Sequence, residues 1–351
     1  MKRRKFFSLV GVATLTSSLA VACNNGSITT APTTESPATL VAATGGELTI
    51  YSGRNEELIG PLLEKYEAET GTTINVRYAD TAELAAAILE EGPNSPADIF
   101  FGQDAGALGA LQKANRTRQL PEEILNKVDS RFRSPEGQWI GISGRARVID
   151  YNTELVNENE LPDSIWELTE EQWRGRVGWA PTNGSFQAFV TALRVTEGDD
   201  RALQWLEAMR DNDAQVYSNN TTILEALGRG EIELGLVNNY YLNRFQAEDP
   251  NFPVDHHYTE NDAGSMINVA GVAIVDTTEH EEQAISLINY LLTPESQQYF
   301  AQETNEYPLA TGVPSPENQV PLEQIDAPDI DLSNLDDLEG TLGLLQQAGV
   351  L

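Results

Sequence analysis

From residue 46 onward, short apolar runs alternate with longer stretches whose apolar residues recur at helical spacing. Leu48–Tyr51 has the short apolar pattern of a strand, and Glu56–Glu69 carries an apolar stripe that ends at Gly71. The alternation continues with strands predicted over 73–78 and 97–101 and helices over 81–90 and 104–113. Repeated strand–helix units predict a parallel sheet with helices on both faces, which binds ligands at the carboxyl ends of its strands.

Two extended stretches predict crossover strands between two lobes. Trp139–Asn152 has no internal turn, and Ser265–Val275 is a second apolar stretch that can return the chain to the first lobe. We therefore expect an α/β fold with two lobes, each a mainly parallel sheet flanked by helices. The predicted division is 46–146 with 265–315 for lobe 1, 147–264 for lobe 2, and 316–351 for an acidic C-terminal segment packed on the lobes.

The first 22 residues have the basic and then apolar pattern of an export signal. Arg3-Arg4-Lys5-Phe6-Phe7 resembles a twin-arginine signal, and the residues before Cys23 resemble a bacterial lipoprotein cleavage site. Cys23 is the only cysteine, so a lipid anchor there is the predicted role, and removal with the signal is the alternative. Residues 23–45 are rich in Ser, Thr and Pro, which predicts a flexible tether. We expect a periplasmic, lipid-anchored protein.

Acidic residues outnumber basic residues, which gives a formal net charge of −32, and no Lys or Arg follows Arg244. Such a surface repels nucleic acid and anionic lipid, so neither is an expected partner. The histidines are His256, His257 and His280, and no phosphate-binding loop, nucleophile elbow or zinc-protease motif occurs. The sequence therefore argues against an enzyme.

The candidate chemistry lies at Asn238-Asn239-Tyr240-Tyr241, which follows the apolar run Glu233–Val237. Adjacent side chains on a strand point to opposite faces, but both phenols can face one point if the strand ends near Asn239 and a helical turn begins. Two phenolate oxygens suit a hard cation such as ferric iron. From this tetrapeptide alone, two aromatic residues capping a core strand are the simpler interpretation.

Several motifs in the same order favour the metal site. The chain resembles the ferric-iron-binding periplasmic proteins, or bacterial transferrins, from Leu48 to its C-terminus. These are two-lobed periplasmic binding proteins of type II that serve iron ABC importers. The resemblance depends on five motifs: Tyr51–Glu56, Ser95–Phe101, Ser143–Ile149, Trp173–Val177 and Asn238–Tyr241.

The resemblance implies that Tyr240 and Tyr241 ligate Fe³⁺, with Tyr51 as a third phenolate from lobe 1. Asn55 stands where many relatives have His, and Gln103 stands where some have Glu. Phe132 and Phe186 stand where a cyanobacterial-type branch has further tyrosines.

The resemblance also implies a synergistic anion, carbonate, bicarbonate or phosphate, whose charge Arg54 and Arg145 offset. We interpret Arg147 as a surface ion pair. The expected partner is an inner-membrane ABC permease, and the expected state is a monomer. The alternative is the same scaffold with another solute: a phosphonate, thiamine, a polyamine or a sugar. The residues matching the family's anion cradle are Asn183, Gly184, Ser185, Asn220 and Asn238.

Overall fold

The structure, a computed structural model, describes residues 45–351. The predicted signal peptide, the twin-arginine motif and Cys23, together with almost all of the tether, lie outside these residues. No helix in the described part of the chain is long and apolar enough to span a bilayer.

The first part of the chain forms the predicted strand–helix units. Strand β1 (Glu47–Ser52) pairs in parallel with β2 (Thr73–Tyr78) on one side and with β3 (Ile99–Gly102) on the other. Helix α1 ends because Gly71 adopts a left-handed conformation with φ 69°. The elements are β1 (Glu47–Ser52), α1 (Glu56–Thr70), β2 (Thr73–Tyr78), α2 (Thr81–Glu91), β3 (Ile99–Gly102), α3 (Ala105–Lys113) and α4 (Glu122–Leu125).

Strand β4 (Ile140–Asn152) is buried along its whole length and connects the two halves of the sheet. Its residues up to Ala146 pair antiparallel with β9 (Ile267–Ile274). From Arg147 onward it pairs antiparallel with β7 (Leu234–Asn238) and β8 (Val254–His257). The strand changes partners between Ala146 and Arg147, so these residues lie at the junction of the two halves.

The second half repeats the α/β pattern around an aromatic core of Trp179, Phe186, Phe189 and Trp205. The main path through the sheet runs β2-β1-β3-β9-β4-β7 and ends with β5 (Val177–Trp179) and β6 (Gln215–Val216). Its outer strands are parallel, and the pairs that involve β4 and β9 are antiparallel. The remaining elements here are β5 (Val177–Trp179), α5 (Gly184–Glu197), α6 (Asp199–Asp211), β6 (Gln215–Val216), α7 (Asn220–Gly228) and α8 (Leu242–Glu248).

The C-terminal segment contacts elements of both halves. A short 3₁₀ turn approaches α3 so closely that a Cβ on Gly109 would lie 2.2 Å from the Ser333 carbonyl oxygen. Further on, the Thr341 hydroxyl lies 2.7 Å from that of Thr191 on α5. The final elements are α9 (Glu281–Leu291), α10 (Pro294–Glu303), β10 (Tyr307–Pro308) and α11 (Leu338–Gln347). The predicted α/β fold with helices flanking the sheets is confirmed.

Candidate functional site

The tyrosine pair lies on a turn that begins where a buried strand ends. β7 stops at Asn238, and Asn239–Tyr241 form one turn of 3₁₀ helix. Because the turn breaks the strand alternation, Tyr240 and Tyr241 stack with ring centroids 4.4 Å apart and an interplanar angle of 28°. This is the local geometry on which the metal interpretation of the sequence depended.

The environment of Tyr240 keeps its phenol protonated. Burial is the main cause that raises the pKa of Tyr240 above its ordinary value, and the neighbouring Tyr241 adds to the increase. The positive charge of Arg145 acts in the opposite direction and lowers the pKa of Tyr240. Arg145 therefore favours the phenolate form that a metal ion would require.

Arg145 and Arg147 share one recess because they lie two residues apart on β4 and thus point to the same face. Met266 and Asn268 complete one side of this recess, which has an empty volume of about 240 Å³. The Arg145 Nη1 atom is buried and has no hydrogen-bond partner among residues 45–351.

The interpretation of Arg147 as a surface ion pair is wrong. Arg147 is only 3% exposed, and burial lowers the pKa of its guanidinium to about 9. Its Nη2 donates to the Leu236 carbonyl at 2.7 Å, and its Nη1 lies 3.4 Å from the Ser185 hydroxyl and 3.4 Å from the Asn238 side-chain oxygen. The spacing Arg145-x-Arg147 on an extended stretch was the sequence signal for a shared face.

The start of α5 brings four predicted anion-cradle residues together. Asn183 caps this helix by accepting from the Ser185 backbone N–H at 3.1 Å and from its hydroxyl at 2.6 Å. The Asn220 amide donates to the same Asn183 oxygen at 3.3 Å and to the Ser185 hydroxyl at 3.2 Å. Gly184 is exposed, with no atom within 4 Å of the position a Cβ would take. The backbone at this helix start is therefore accessible.

Asn238 joins this cradle to the strand that carries the tyrosines. Its backbone N–H donates to the Asn220 side-chain oxygen at 3.3 Å, and its own side-chain oxygen accepts from Arg147. All five residues of the predicted cradle thus form one connected cluster beside the basic recess.

Arg54 forms a buried ion pair with Glu306. Its Nη1 and Nη2 donate to the two carboxylate oxygens of Glu306 at 2.8 and 2.6 Å, and its Nη1 also donates to Gln103 at 2.8 Å. Although burial raises the pKa of Glu306, the charge and hydrogen bonds of Arg54 bring that pKa below its ordinary value. Because a buried carboxylate already neutralises the Arg54 guanidinium, this arrangement does not support the predicted anion role of Arg54. No local signal in the sequence marked Glu306 as that partner.

Tyr51 does not lie with the other two tyrosines. Its hydroxyl donates to Glu91 at 2.9 Å, and Arg77 lies over its ring and within 3.3 Å of its oxygen. Strands β3, β9 and β4 lie between its strand β1 and strand β7. The arrangement therefore does not support the prediction of Tyr51 as a third phenolate.

The other positions singled out in the sequence supply no metal ligands in this arrangement. Asn55 is exposed at the start of α1, whereas Phe132 and Phe186 are buried. No group of three or more His, Cys, Asp or Glu side chains suited to a metal occurs among residues 45–351. The histidines contact separate partners: His256 with Asp150, His257 with the Pro162 carbonyl, and His280 with Asp98.

A two-part mixed sheet joined through a long shared strand, with a basic recess at the junction, fits a bacterial solute-binding protein. The chain belongs to the family described as bacterial extracellular solute-binding protein, whose model matches residues 62–323. This is a family of transport proteins and not of enzymes.

Two relatives cover most of the chain. The major ferric iron-binding protein of Neisseria meningitidis is 30% identical over 320 residues, which are 89% of this chain and 96% of the relative. Iron uptake protein A1 of Synechocystis is 34% identical over 294 residues, 80% of this chain and 81% of the relative.

Solved structures show the same fold. Iron-bound HitA from Pseudomonas aeruginosa matches with a TM-score of 0.78 and 29% identity, covering 86% of this chain and 99% of that chain. The Trichodesmium protein FutA in complex with iron and citrate matches with a TM-score of 0.76 and 28% identity, over 87% of this chain and 100% of that chain.

Proposed function

We propose that this protein binds ferric iron outside the cytoplasm and delivers it to an ABC importer. Fe³⁺ is its substrate, and the phenolates of Tyr240 and Tyr241 are its protein ligands. The observation that carries the proposal is the stacked tyrosine pair beside a basic recess, with rings 4.4 Å apart. The names of the Neisseria and Synechocystis relatives support the same substrate.

The two tyrosines provide hard oxygen donors, which suit Fe³⁺ better than the soft sulfur ligands that select other metals. Both phenols must lose a proton to ligate the ion, and the pKa of Tyr240 is raised by burial and by Tyr241. The metal itself must therefore displace the protons. The positive charge of Arg145 lowers the free-energy cost of deprotonating Tyr240.

A synergistic anion completes the proposed site. Fe³⁺ with two phenolates keeps a positive charge, and the recess adds the guanidinium groups of Arg145 and Arg147. The Arg145 Nη1 atom has no hydrogen-bond partner within residues 45–351, and Arg147 makes its side-chain hydrogen bonds there to Leu236, Ser185 and Asn238. The Glu306 and Asp150 carboxylates act on these charges only electrostatically. Carbonate, bicarbonate or phosphate would offset this charge and accept from the guanidinium N–H groups. The N-terminus of α5 adds the backbone N–H of Gly184 as a donor for the same anion.

The cellular setting is part of the proposal. An ABC permease in the inner membrane receives the iron, and the binding protein is a monomer exported by the 1–22 signal and anchored through Cys23. The division at 146/147 and 264/265 separates two lobes that close around the substrate. The recess lies beside this division, since Arg145 and Arg147 are on opposite sides of the partner change in β4.

The direct test is to add ferric citrate to the apo-protein and record the visible spectrum. Phenolate-to-iron charge transfer should produce a coloured protein with one iron per chain. A phosphonate, thiamine, a polyamine and a sugar are titrated in parallel by calorimetry. A colourless protein that binds one of these solutes would contradict the proposed function and favour the alternative.

A further inference from the structure

Two polar residues of the C-terminal segment bracket the tyrosine pair. The Asn239 side-chain amide donates to the Gln319 side-chain oxygen at 3.0 Å, and the Asn318 amide donates to the Asn243 side-chain oxygen at 2.9 Å. Asn239 immediately precedes the two tyrosines, and Asn243 follows them by two residues. We name residues 318–320 the clasp.

The same clasp holds the residues on either side of Glu306. The Gln319 amide donates to the Asn305 carbonyl at 2.9 Å, and the Tyr307 hydroxyl donates to the Val320 carbonyl at 2.8 Å. Asn305 has a φ of 55°, in the left-handed region that Asn adopts more readily than most other residues with a Cβ atom. A specific contact that stabilises this backbone fixes the direction from which Glu306 reaches Arg54.

Gln319 is therefore the central residue of a chain of amide hydrogen bonds through the site, which we call the amide relay. The relay begins at β4, where the Ala146 N–H donates to the Asn239 oxygen at 2.9 Å, and continues through Gln319 to the Asn305 carbonyl. Asn239 is fully buried and Gln319 is 7% exposed, so water has little access to replace these bonds. Losing either partner would leave a buried polar group without a hydrogen bond.

We propose that Asn318 and Gln319 are positioning residues for the tyrosine pair, an inference that rests on the proposed iron-binding function. They keep Asn239–Tyr241 in a helical turn, where the two phenols face one point. Without them, the turn is free to rotate the phenols apart or away from Arg145. They also fix the tyrosine pair relative to the Arg54–Glu306 pair, because Gln319 contacts the neighbours of both.

The test compares Gln319→Met with Gln324→Met in the full chain, using ferric citrate as the probe. Methionine is close in length to glutamine but neither accepts from Asn239 nor donates to Asn305. Gln324 is exposed in the same segment, which makes it the matched control. The readouts are the phenolate-to-iron band and the rate of iron loss to EDTA.

Gln319→Met should shift the band and speed iron loss by about tenfold or more, as expected when a buried hydrogen-bonding group loses its partner. Gln324→Met should match the unchanged protein. An unshifted band together with an unchanged loss rate in Gln319→Met would overturn the inference.

A second pair guards against misfolding of the glutamine variant. Asn318→Ala removes only the contact to Asn243, and Asn334→Ala alters an exposed asparagine of the same segment. Circular dichroism checks the fold. Faster iron loss in Asn318→Ala, with an unchanged rate in Asn334→Ala, supports the inference. If the unchanged protein stays colourless with ferric citrate, the proposed function fails. If it is coloured and both clasp variants behave like it, only the positioning role fails.

Discussion

Arg145 and Arg147 lie on the same face of β4 and place two buried guanidinium groups in one recess. They are also on opposite sides of the point where β4 exchanges β9 for β7 and β8. A solute held between them would contact both halves of the sheet at once. In the proposed function, an anion bound in this recess would therefore contact residues from both halves of the sheet.

Removing either phenol oxygen of the pair should abolish tight iron binding without unfolding the protein. Tyr240→Phe and Tyr241→Phe keep the ring and its stacking but lose the anionic donor. The loss of affinity should exceed the roughly tenfold to hundredfold effect typical of outer-shell partners of a metal. Titration against a competing chelator measures it, with Tyr217→Phe as the control. Unchanged affinity in both variants would contradict the metal site.

Tyr51→Phe should leave the visible band and the affinity for Fe³⁺ nearly unchanged. The Tyr51 hydroxyl donates to Glu91 and lies beside Arg77, so its removal should cost about 1 kcal/mol of unfolding free energy. Urea unfolding and iron titration separate the two effects. A lost or shifted band would restore Tyr51 as a ligand of the loaded protein, as the family resemblance implied.

Iron affinity should fall steeply as the pH decreases. The pKa of Tyr240 lies above its ordinary value, so the free protein holds this proton at neutral pH and the loaded protein does not. Because the free state binds more protons, lower pH favours iron release. With two tyrosines deprotonated on binding, the affinity should fall about a hundredfold per pH unit, before any protonation of the anion adds to the slope. Chelator competition between pH 5 and 8 gives this slope, and a flat profile would exclude binding through phenolates.

Glu306 should stabilise the fold above acidic pH. Its folded pKa lies below the ordinary value, so its contribution is complete above the unfolded pKa of about 4.3 and disappears as the pH falls through the lower folded pKa. Glu306→Ala should cost roughly 3–5 kcal/mol at pH 7, because it leaves Arg54 buried without its partner. Thermal unfolding from pH 2.5 to 7 measures both effects. The double variant Arg54→Met/Glu306→Leu should recover much of the lost unfolding free energy and reduce the dependence of stability on pH under acidic conditions.

Arg147→Gln should weaken binding of the anion that completes the proposed iron site. The variant keeps a donor near Ser185 and Asn238 but removes the charge that an oxyanion would meet. The bicarbonate or phosphate concentration needed for half-maximal colour should rise about tenfold, as expected for a lost charge-assisted hydrogen bond. Arg201→Gln on an exposed surface is the control. An equal anion requirement in Arg147→Gln and the control would argue against the proposed anion site.

The sequence by itself determined the features that depend on short-range periodicity and turn chemistry. Alternating apolar patterns predicted the strand–helix units and the long crossover strand, because side-chain burial follows the period of each element. The end of the apolar run before Asn239 marked where the tyrosine pair leaves the strand. The cap of α5 at Asn183, where the anion cradle is predicted, was similarly marked by a polar helix start.

Only the tertiary structure decided which distant group meets each charged or polar side chain. Arg54 is neutralised by Glu306, 252 positions away, and Tyr51 bonds to Glu91 instead of joining Tyr240. Arg147 is buried because β4 lies inside the sheet, between strands of its two halves, and Gln319 reaches Asn239 across 80 positions. Local patterns carry no information on these pairings, since each depends on how separate elements pack and on which buried polar groups then need a partner.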